Sequence, residues 1–385
     1  MKTITLSDVS VNGRGYYGIG ASAVPFSDDL YTYLRITDIN DDGTLNMADL
    51  KSVDDEKACE YLLQPNDIVF ARTGASTGRN YFYDGSDGKF VYAGFLIKFS
   101  IDPSKINPKY VKYFCLSQQY KDWIHSFNTG STRGNINAQT LGKMPIPELE
   151  REKQDALVEI LSSIDAKIKQ NNAINENLEQ QAKALYQQMF IENTSPDWVE
   201  GSLRDIADIT MGQSPSGSSY NEDGIGAIFF QGRAEFSFRF PTIRLYSTEP
   251  KRMACANDIL MSVRAPVGDL NIAHTDCCIG RGLAAIHSKT NHQSFVLYTM
   301  FSLRKQLDVF NGEGTVFGSI NRNSLNDMPI LIPSDETIEE FERIVAPMDA
   351  AIRNNYDEIC RLQAIRDALL PRLMSGELDV SELDI

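Results

Sequence analysis

The chain has 385 residues, 42% of them apolar, and a net charge of −15. That length leaves room for two or more domains with cores of their own. No apolar run approaches the ~18 residues of a membrane span, and Met-Lys-Thr-Ile-Thr-Leu at the start lacks a signal-type apolar stretch, so a cytoplasmic protein without a membrane partner is expected.

Taken in order, the chain reads as one half written twice. The first half opens with Leu6-Ser-Asp8-Val9 and continues with β-rich runs at 31–36, 68–72 and 90–99, divided by Gly, Asp and Asn turns. Residues 38–49 nearly fill a calcium-loop pattern, with Asp49 in place of the final Glu. The run before them reads as a strand and not a helix, so a turn between strands is the expectation and no metal is assigned. A helix is predicted at 108–127. The second half repeats this plan from Leu203-Arg-Asp205-Ile206, with strands at 227–230, 259–263 and 283–287 and a helix at 294–310. Asn66-Asp67-Ile68-Val69 followed by Arg72-Thr-Gly74-Ala-Ser-Thr-Gly78 is answered by Asn257-Asp258-Ile259-Leu260 followed by Arg264-Ala-Pro-Val-Gly268. Gly130-Ser-Thr-Arg-Gly134-Asn-Ile136-Asn137 is answered by Gly314-Thr-Val-Phe-Gly318-Ser-Ile320-Asn321, and Met144-Pro145-Ile146 by Met328-Pro329-Ile330. A period this long indicates duplicated domains and not a solenoid.

Each half ends in a long helical pattern. Leu157, Leu161, Ile164, Ile168, Asn171, Asn175, Leu178, Ala182, Leu185 and Met189 alternate at spacings of four and three, the a/d seam of a coiled coil. The second copy runs Phe341, Val345, Met348, Ile352, Asn355, Ile359, Leu362, Arg366, Leu369 and Leu373. Each helix has a partner of matching period to pack against, and in an antiparallel pair Asn171 and Asn175 would meet Asn355 and fix register. Pro347 lies inside the second pattern and should kink or restart it. Twelve of the fifteen excess negative charges fall on 147–196 and 332–385, so the larger segments are near neutral and free to present basic faces. The six Cys are scattered without metal-ligand spacing, and the four His lack evident catalytic partners.

Together the N-D-I-[LV] and Gly-rich runs, the G-x-x-x-G-x-I-N segments before M-P-I, the helix openings Ile164-Asp165-Ala-Lys-Ile168 and Met348-Asp349-Ala-Ala-Ile352, the run Gly212-Gln-Ser-Pro-Ser-Gly-Ser-Ser-Tyr220-Asn with Phe230-Gln-Gly-Arg233, and the ending Leu369-Leu-Pro-Arg-Leu-Met-Ser375-Gly-Glu-Leu are specific. The chain resembles, over essentially its whole length, the DNA-specificity (S) subunit of a type I restriction–modification system. That resemblance implies an α/β (α+β) fold with duplicated halves: two strand-rich target-recognition domains joined by two long antiparallel helices forming a coiled coil. The corresponding boundaries are 1–146 and 194–331 for the recognition domains, and 147–193 and 332–385 for the helical regions. It further implies a non-catalytic chain that reads an asymmetric bipartite site in double-stranded DNA. Two methyltransferase subunits and endonuclease subunits would act on that site and bind S-adenosylmethionine, ATP and Mg, with no cofactor in this chain. A seam of this length spans roughly 50 Å, on the order of 15 base pairs. No adenine-flipping motif, P-loop or methyl-donor loop is found. A coiled-coil scaffold, or a solitary DNA-binding protein without a restriction partner, is the alternative reading.

Arginine suits guanine, and Asn or Gln suits adenine, so polar loops carry the candidate DNA contacts. In the first half these are Arg14, Tyr16, Arg35, Thr37, Arg72, Thr73, Ser76, Arg79, Ser131, Arg133 and Asn135. In the second they are Gln213, Ser214, Ser216, Ser218, Tyr220, Gln231, Arg233, Arg264, Asn321 and Arg322. The competing reading is that the Gly-rich stretches only shape turns, and that Ile136-Asn137 and Ile320-Asn321 only brace the following helix.

Overall fold

A computed structural model describes residues 2–127, 135–312 and 318–378. Two compact units form, Met1–Gln170 with Glu358–Ile385 and Asn171–Asp357. None of the described helices is long and apolar enough to cross a membrane.

The duplication read in the sequence is a duplication of topology. In the first unit one four-stranded sheet has the order Tyr16–Tyr17, Leu96–Ser100, Asp67–Ala71, Asn80–Tyr83, and a second has Ala23–Pro25, Lys51–Val53, Tyr31–Leu34, Phe90–Tyr92. In the second unit the order Ala207–Met211, Leu283–Ser288, Ile259–Ser262, Leu270–Ile272 repeats the first sheet. The order Tyr220–Asn221, Leu245–Ser247, Ala227–Phe230, Cys277–Ile279 repeats the second, with Met253–Ala254 added at its edge. Pairing is antiparallel except at Tyr31–Leu34 with Phe90–Tyr92 and its counterpart, Ala227–Phe230 with Cys277–Ile279.

The repeated motifs now have local causes. Asn66 and Asn257 sit at φ 75° and 73°, a left-handed turn that Asn tolerates better than most side chains. The next residue closes that turn. Asp67 accepts from the Gln64 N–H at 2.8 Å, and Asp258 from the Cys255 N–H at 2.8 Å. The apolar residues that follow then enter a fully buried strand. The Pro-Ile of each Met-Pro-Ile opens a strand, Pro145–Pro147 or Pro329–Ile332, paired with Thr3–Thr5 or Val199–Ser202. Residues 38–49 form a turn, as expected. Ile39 pairs with Leu45, and the Asp38 carboxylate is taken by Arg35.

The single helices predicted at 108–127 and 294–310 are each divided. Ser117 caps a fresh start, accepting from the Tyr120 N–H, so Pro108–Phe114 and Gln118–His125 are separate. In the second unit Gln293–Ser302 is followed by Arg304–Asp308.

The long helices run from Arg151 to Tyr186, 36 residues, and from Asp335 to Ser375, 41 residues. The first continues into a wider π-type turn, Gln187–Glu192. Of the expected kink or restart, the restart does not occur: the second helix runs unbroken through Pro347. Pro347 is exposed while Val345 and Ile352 beside it are buried, so the carbonyl left without a helical donor faces solvent and packing holds the helix together. In the first unit Leu157 and Leu161 share a core with Leu370, Leu373 and Met374. In the second, Ala182, Tyr186 and Phe190 share one with Ile338, Phe341 and Val345. Within each unit the two helices are therefore antiparallel, and every predicted seam position is buried or half-buried. Each fully buried leucine there is worth about 1.5–3 kcal/mol. The Asn355 Nδ2 donates to Asn175 Oδ1 at 2.8 Å across the pair, as the pattern predicts, and Asn171 is also buried.

Candidate nucleic-acid interface

In the second unit, loops from four separate strand ends meet around one hollow of about 230 Å³. Ser214, Gln231, Arg233 and Arg264, all chosen from sequence, line it together with Arg281 and Gly282. Arg233 pairs with Asp269, which also binds Arg304 at 2.7 Å. Gln213 is exposed, its backbone held by Ile279 O at 3.0 Å. Ser216 and Ser218 bond each other at 2.8 Å. Tyr220 stacks on Phe229 and donates its phenol to Pro215 O, so its ring serves the loop's own shape. Asn321 accepts from the Ser324 N–H at 3.0 Å and caps the helix Arg322–Asn326; its carbonyl oxygen is occupied there, while Arg322 is exposed. Asn137 does the same for Ala138–Gly142.

In the first unit the candidates divide. Arg14 donates to the Tyr16 phenol at 3.0 Å, and Arg72 lies over the Tyr17 ring at 5.0 Å. Thr73 pairs with Asn135, which brings those two beside the Arg72–Tyr17 stack. Ser76 lies half-buried in the adjoining turn. Arg35 and Arg79 are turned inward. Arg35 grips Asp38 with two donors at 3.0 and 2.6 Å, and Arg79 grips Asp41 at 2.7 and 3.2 Å. Each guanidinium is thereby an internal brace of the 38–49 turn. Thr37 is exposed beside it. Ser131 and Arg133 lie outside the described residues, as does much of the Gly314–Gly318 stretch.

The two arginines matched by sequence, Arg72 and Arg264, are not structural equivalents. Arg72 N–H donates to Phe95 O, and Ile136 N–H to Arg72 O. The same pair of bonds in the second unit belongs to Val263, so Arg264 corresponds to Thr73. From Asn66 and Asn257 onward the two runs stay in register without a gap, and the arginine stands one position later in the second. A one-residue step in extended chain reverses the face a side chain occupies, which is why Arg72 is half-buried against a ring and Arg264 is exposed.

Arg281 and the exposed Phe95 were missed in the sequence. Arg281 stands alone between Gly280 and Gly282 at the end of a strand, and that pattern was the available signal.

In each unit the Asp of the helix-opening motif meets a tyrosine. Asp165 accepts from the Tyr113 phenol and Lys112, both at 2.9 Å, and from Arg366 at 3.3 Å. Burial pushes that carboxyl up, but the two cations and the phenol outweigh it and hold it below the usual carboxylate range. Asp349 accepts from the Tyr298 phenol at 3.0 Å and from Arg239 at 3.1 Å. There burial dominates and holds the carboxyl above the usual range. The second unit has Ala182 where the repeat would place a counterpart of Arg366, and Arg239 fills the role from a loop.

The sequence profile of the family described as type I restriction modification DNA specificity domain matches residues 28–180 and 196–360. A curated protein of Methanocaldococcus jannaschii, "Putative type I restriction enzyme MjaX specificity subunit", is 30% identical over 376 residues, covering 91% of this chain and 88% of that protein. The type I restriction enzyme HindI specificity subunit of Haemophilus influenzae is 20% identical over 439 residues, covering 91% and 96%. A solved S subunit of a type I restriction–modification system from M. genitalium shares the fold, with a TM-score of 0.58, 15% identity and coverage of 97% and 95%. The repeated two-sheet units, the paired helices and these matches agree: the chain belongs to the type I restriction–modification DNA specificity family, as a specificity subunit and not a catalytic one.

Proposed function

We propose that this chain reads an asymmetric bipartite sequence in double-stranded DNA and delivers it to partner subunits for adenine methylation and cleavage. The recognition domains are residues 1–146 and 194–331, and the helical regions 147–193 and 332–385 carry two methyltransferase subunits, which endonuclease subunits join. S-adenosylmethionine, ATP and Mg belong to those partners, and the complex works in the cytoplasm. The observation that carries the reading is the pairing of one topology with two chemistries. Equivalent loop positions hold Thr73 and Phe95 in one unit and Arg264 and Gly282 in the other. A scaffold repeated for its shape alone has no reason to vary its exposed loop tips in this way. Unlike tips on like frames suit the reading of two unlike blocks, with base edges supplying the discrimination.

The test is a gel shift of the chain with its cognate methyltransferase subunit on random and genomic duplexes across a salt series. Salt-sensitive binding with strong preference for a subset of fragments is expected. Binding that is absent, or indifferent to sequence, would refute the reading and leave a coiled-coil scaffold.

A further inference from the structure

We infer that Arg281, seconded by Arg264, is the guanine-reading element of the second recognition domain; this rests on the DNA-binding role proposed above. The backbone around Arg281 is pinned on three sides. A Cβ on Gly280 would lie 2.8 Å from Gln231 O, and one on Gly282 2.9 Å from the same oxygen. Neither flank can carry a side chain, so only Arg281 projects from the tip. Its own N–H donates to Ser214 Oγ at 3.1 Å, and Leu283 N–H closes the turn on Gly280 O at 3.0 Å. A tip held this way presents its guanidinium from a fixed base.

Charge in the hollow singles out the same pair. Of its three arginines, Arg233 is neutralised by Asp269. Arg264 and Arg281 are exposed and make no side-chain hydrogen bond or ion pair among the described residues, and no carboxylate lines the hollow. Two unmatched guanidinium forks demand a ligand edge made of adjacent acceptors. In the major groove only guanine, through O6 and N7, offers that edge; the amino groups of adenine and cytosine would oppose a donor with a donor.

The first unit shows that this chemistry is no part of the shared frame. Ala93 N–H donates to Leu34 O and Leu96 N–H to Ala93 O, the bonds made by Gly280 and Leu283 in the second unit. Arg281 therefore corresponds to Gly94, Gly282 to Phe95, Gln231 to Arg35 and Arg264 to Thr73. Arg35 is locked on Asp38, the exposed tip is a phenyl ring, and neither the counterpart of Arg281 nor that of Arg264 is an arginine. A phosphate clamp would be useful to both domains alike. A position that changes from arginine to glycine beside an exposed phenylalanine is what base discrimination requires.

The experiment is motif mapping by genome-wide N6-methyladenine sequencing in a host expressing the cognate methyltransferase subunit with wild-type chain, Arg281→Ala or Arg281→Lys. Arg281→Ala is expected to make one guanine position degenerate, with discrimination there falling roughly ten- to a hundredfold and the other block unchanged. Arg281→Lys keeps the charge but loses the planar fork, and is expected to relax the same position. An unchanged motif in both variants, relaxation at a base other than guanine, or an even loss at all sites with a shallower salt dependence would overturn the inference. Should Arg281→Ala abolish methylation, Arg281→Lys decides, since wild-type discrimination in that variant rejects the base-reading role. Failure of the wild-type complex itself to give a bipartite motif would instead reject the proposed function.

Discussion

Replacing Arg239 by methionine tests how the second recognition domain is fixed to its helices. The Arg239 side chain is 3% exposed and bonds the Tyr298 phenol and Asp349 at 3.1 Å each, with Glu179 at 3.8 Å. It thus ties loop, inner helix and both long helices together within the unit. Methionine keeps the bulk and removes the cation, stranding a buried carboxylate. Loss of one partner from a buried pair costs about 3–5 kcal/mol. Two other guanidinium donors, Nε and Nη1, are buried without a hydrogen bond, so their removal recovers part of the loss and places the expectation near the lower end. At about 2–4 °C per kcal/mol for a domain of this size, Tm falls by roughly 6–15 °C. Asp349→Asn in the same background should restore most of the loss. The effect should also depend on pH in a known direction. Asp349 already has its folded pKa raised, so its contribution to stability is present below the unfolded value of about 3.9 and is lost as pH rises through the folded value. Removing Arg239 raises the folded pKa further, so the deficit is greatest at neutral pH and shrinks towards pH ~4. Urea unfolding of the full chain followed by circular dichroism from pH 4 to 7.5 measures it. A loss under about 1 kcal/mol, a deficit indifferent to pH, or no rescue by Asp349→Asn would show that Arg239 does not hold the unit through Asp349.

The counterpart Asp165 carries the opposite sign. Its folded pKa is lowered, so its stabilisation is present above the unfolded pKa and lost as pH falls through the folded one; Asp165→Asn should destabilise at neutral pH by about 1–3 kcal/mol, with a deficit that shrinks as pH falls. Asn355→Leu leaves Asn175 buried without its 2.8 Å partner and should cost about 1–3 kcal/mol, while Asn175→Leu with Asn355→Leu should unfold at higher denaturant but lose its single helix register, read as a blurred gap in the methylated motif. Asn321→Ala removes a helix cap and should cost about 1 kcal/mol with the recognised bases unchanged; an altered motif would show that Asn321 touches DNA after all.

The helices were legible because a 3.5-residue apolar period repeats for several turns, and its Asn interruptions mark the polar contact actually formed between Asn175 and Asn355. The duplication was legible because Asn66 and Asn257 answer the same backbone demand, and such demands conserve residue type between halves. Individual contact residues were less legible. Whether an arginine points outward depends on partners distant in sequence: Asp38 and Asp41 turn Arg35 and Arg79 inward. Equivalence of Arg72 with Arg264 failed because the arginine stands one position later in the second unit, a step that motif matching tolerates and strand alternation does not. Arg281 escaped notice because its placement depends on Gln231, fifty residues earlier in the chain, pressing on the two flanking glycines. Continuity through Pro347 was hidden for a similar reason, since the packing of Val345 and Ile352 outweighs one missing helical bond.

If two unlike heads read two unlike blocks of DNA, exchanging one head should change one block alone. Genome-wide N6-methyladenine mapping of a chimaera in which residues 196–331 are exchanged for those of a relative of different specificity, beside the wild-type complex, tests it most directly. The expected wild-type motif has two different short blocks at a fixed interval, and the exchange replaces one and leaves the other intact. A single continuous motif, two identical blocks, or a change in both blocks at once would contradict it.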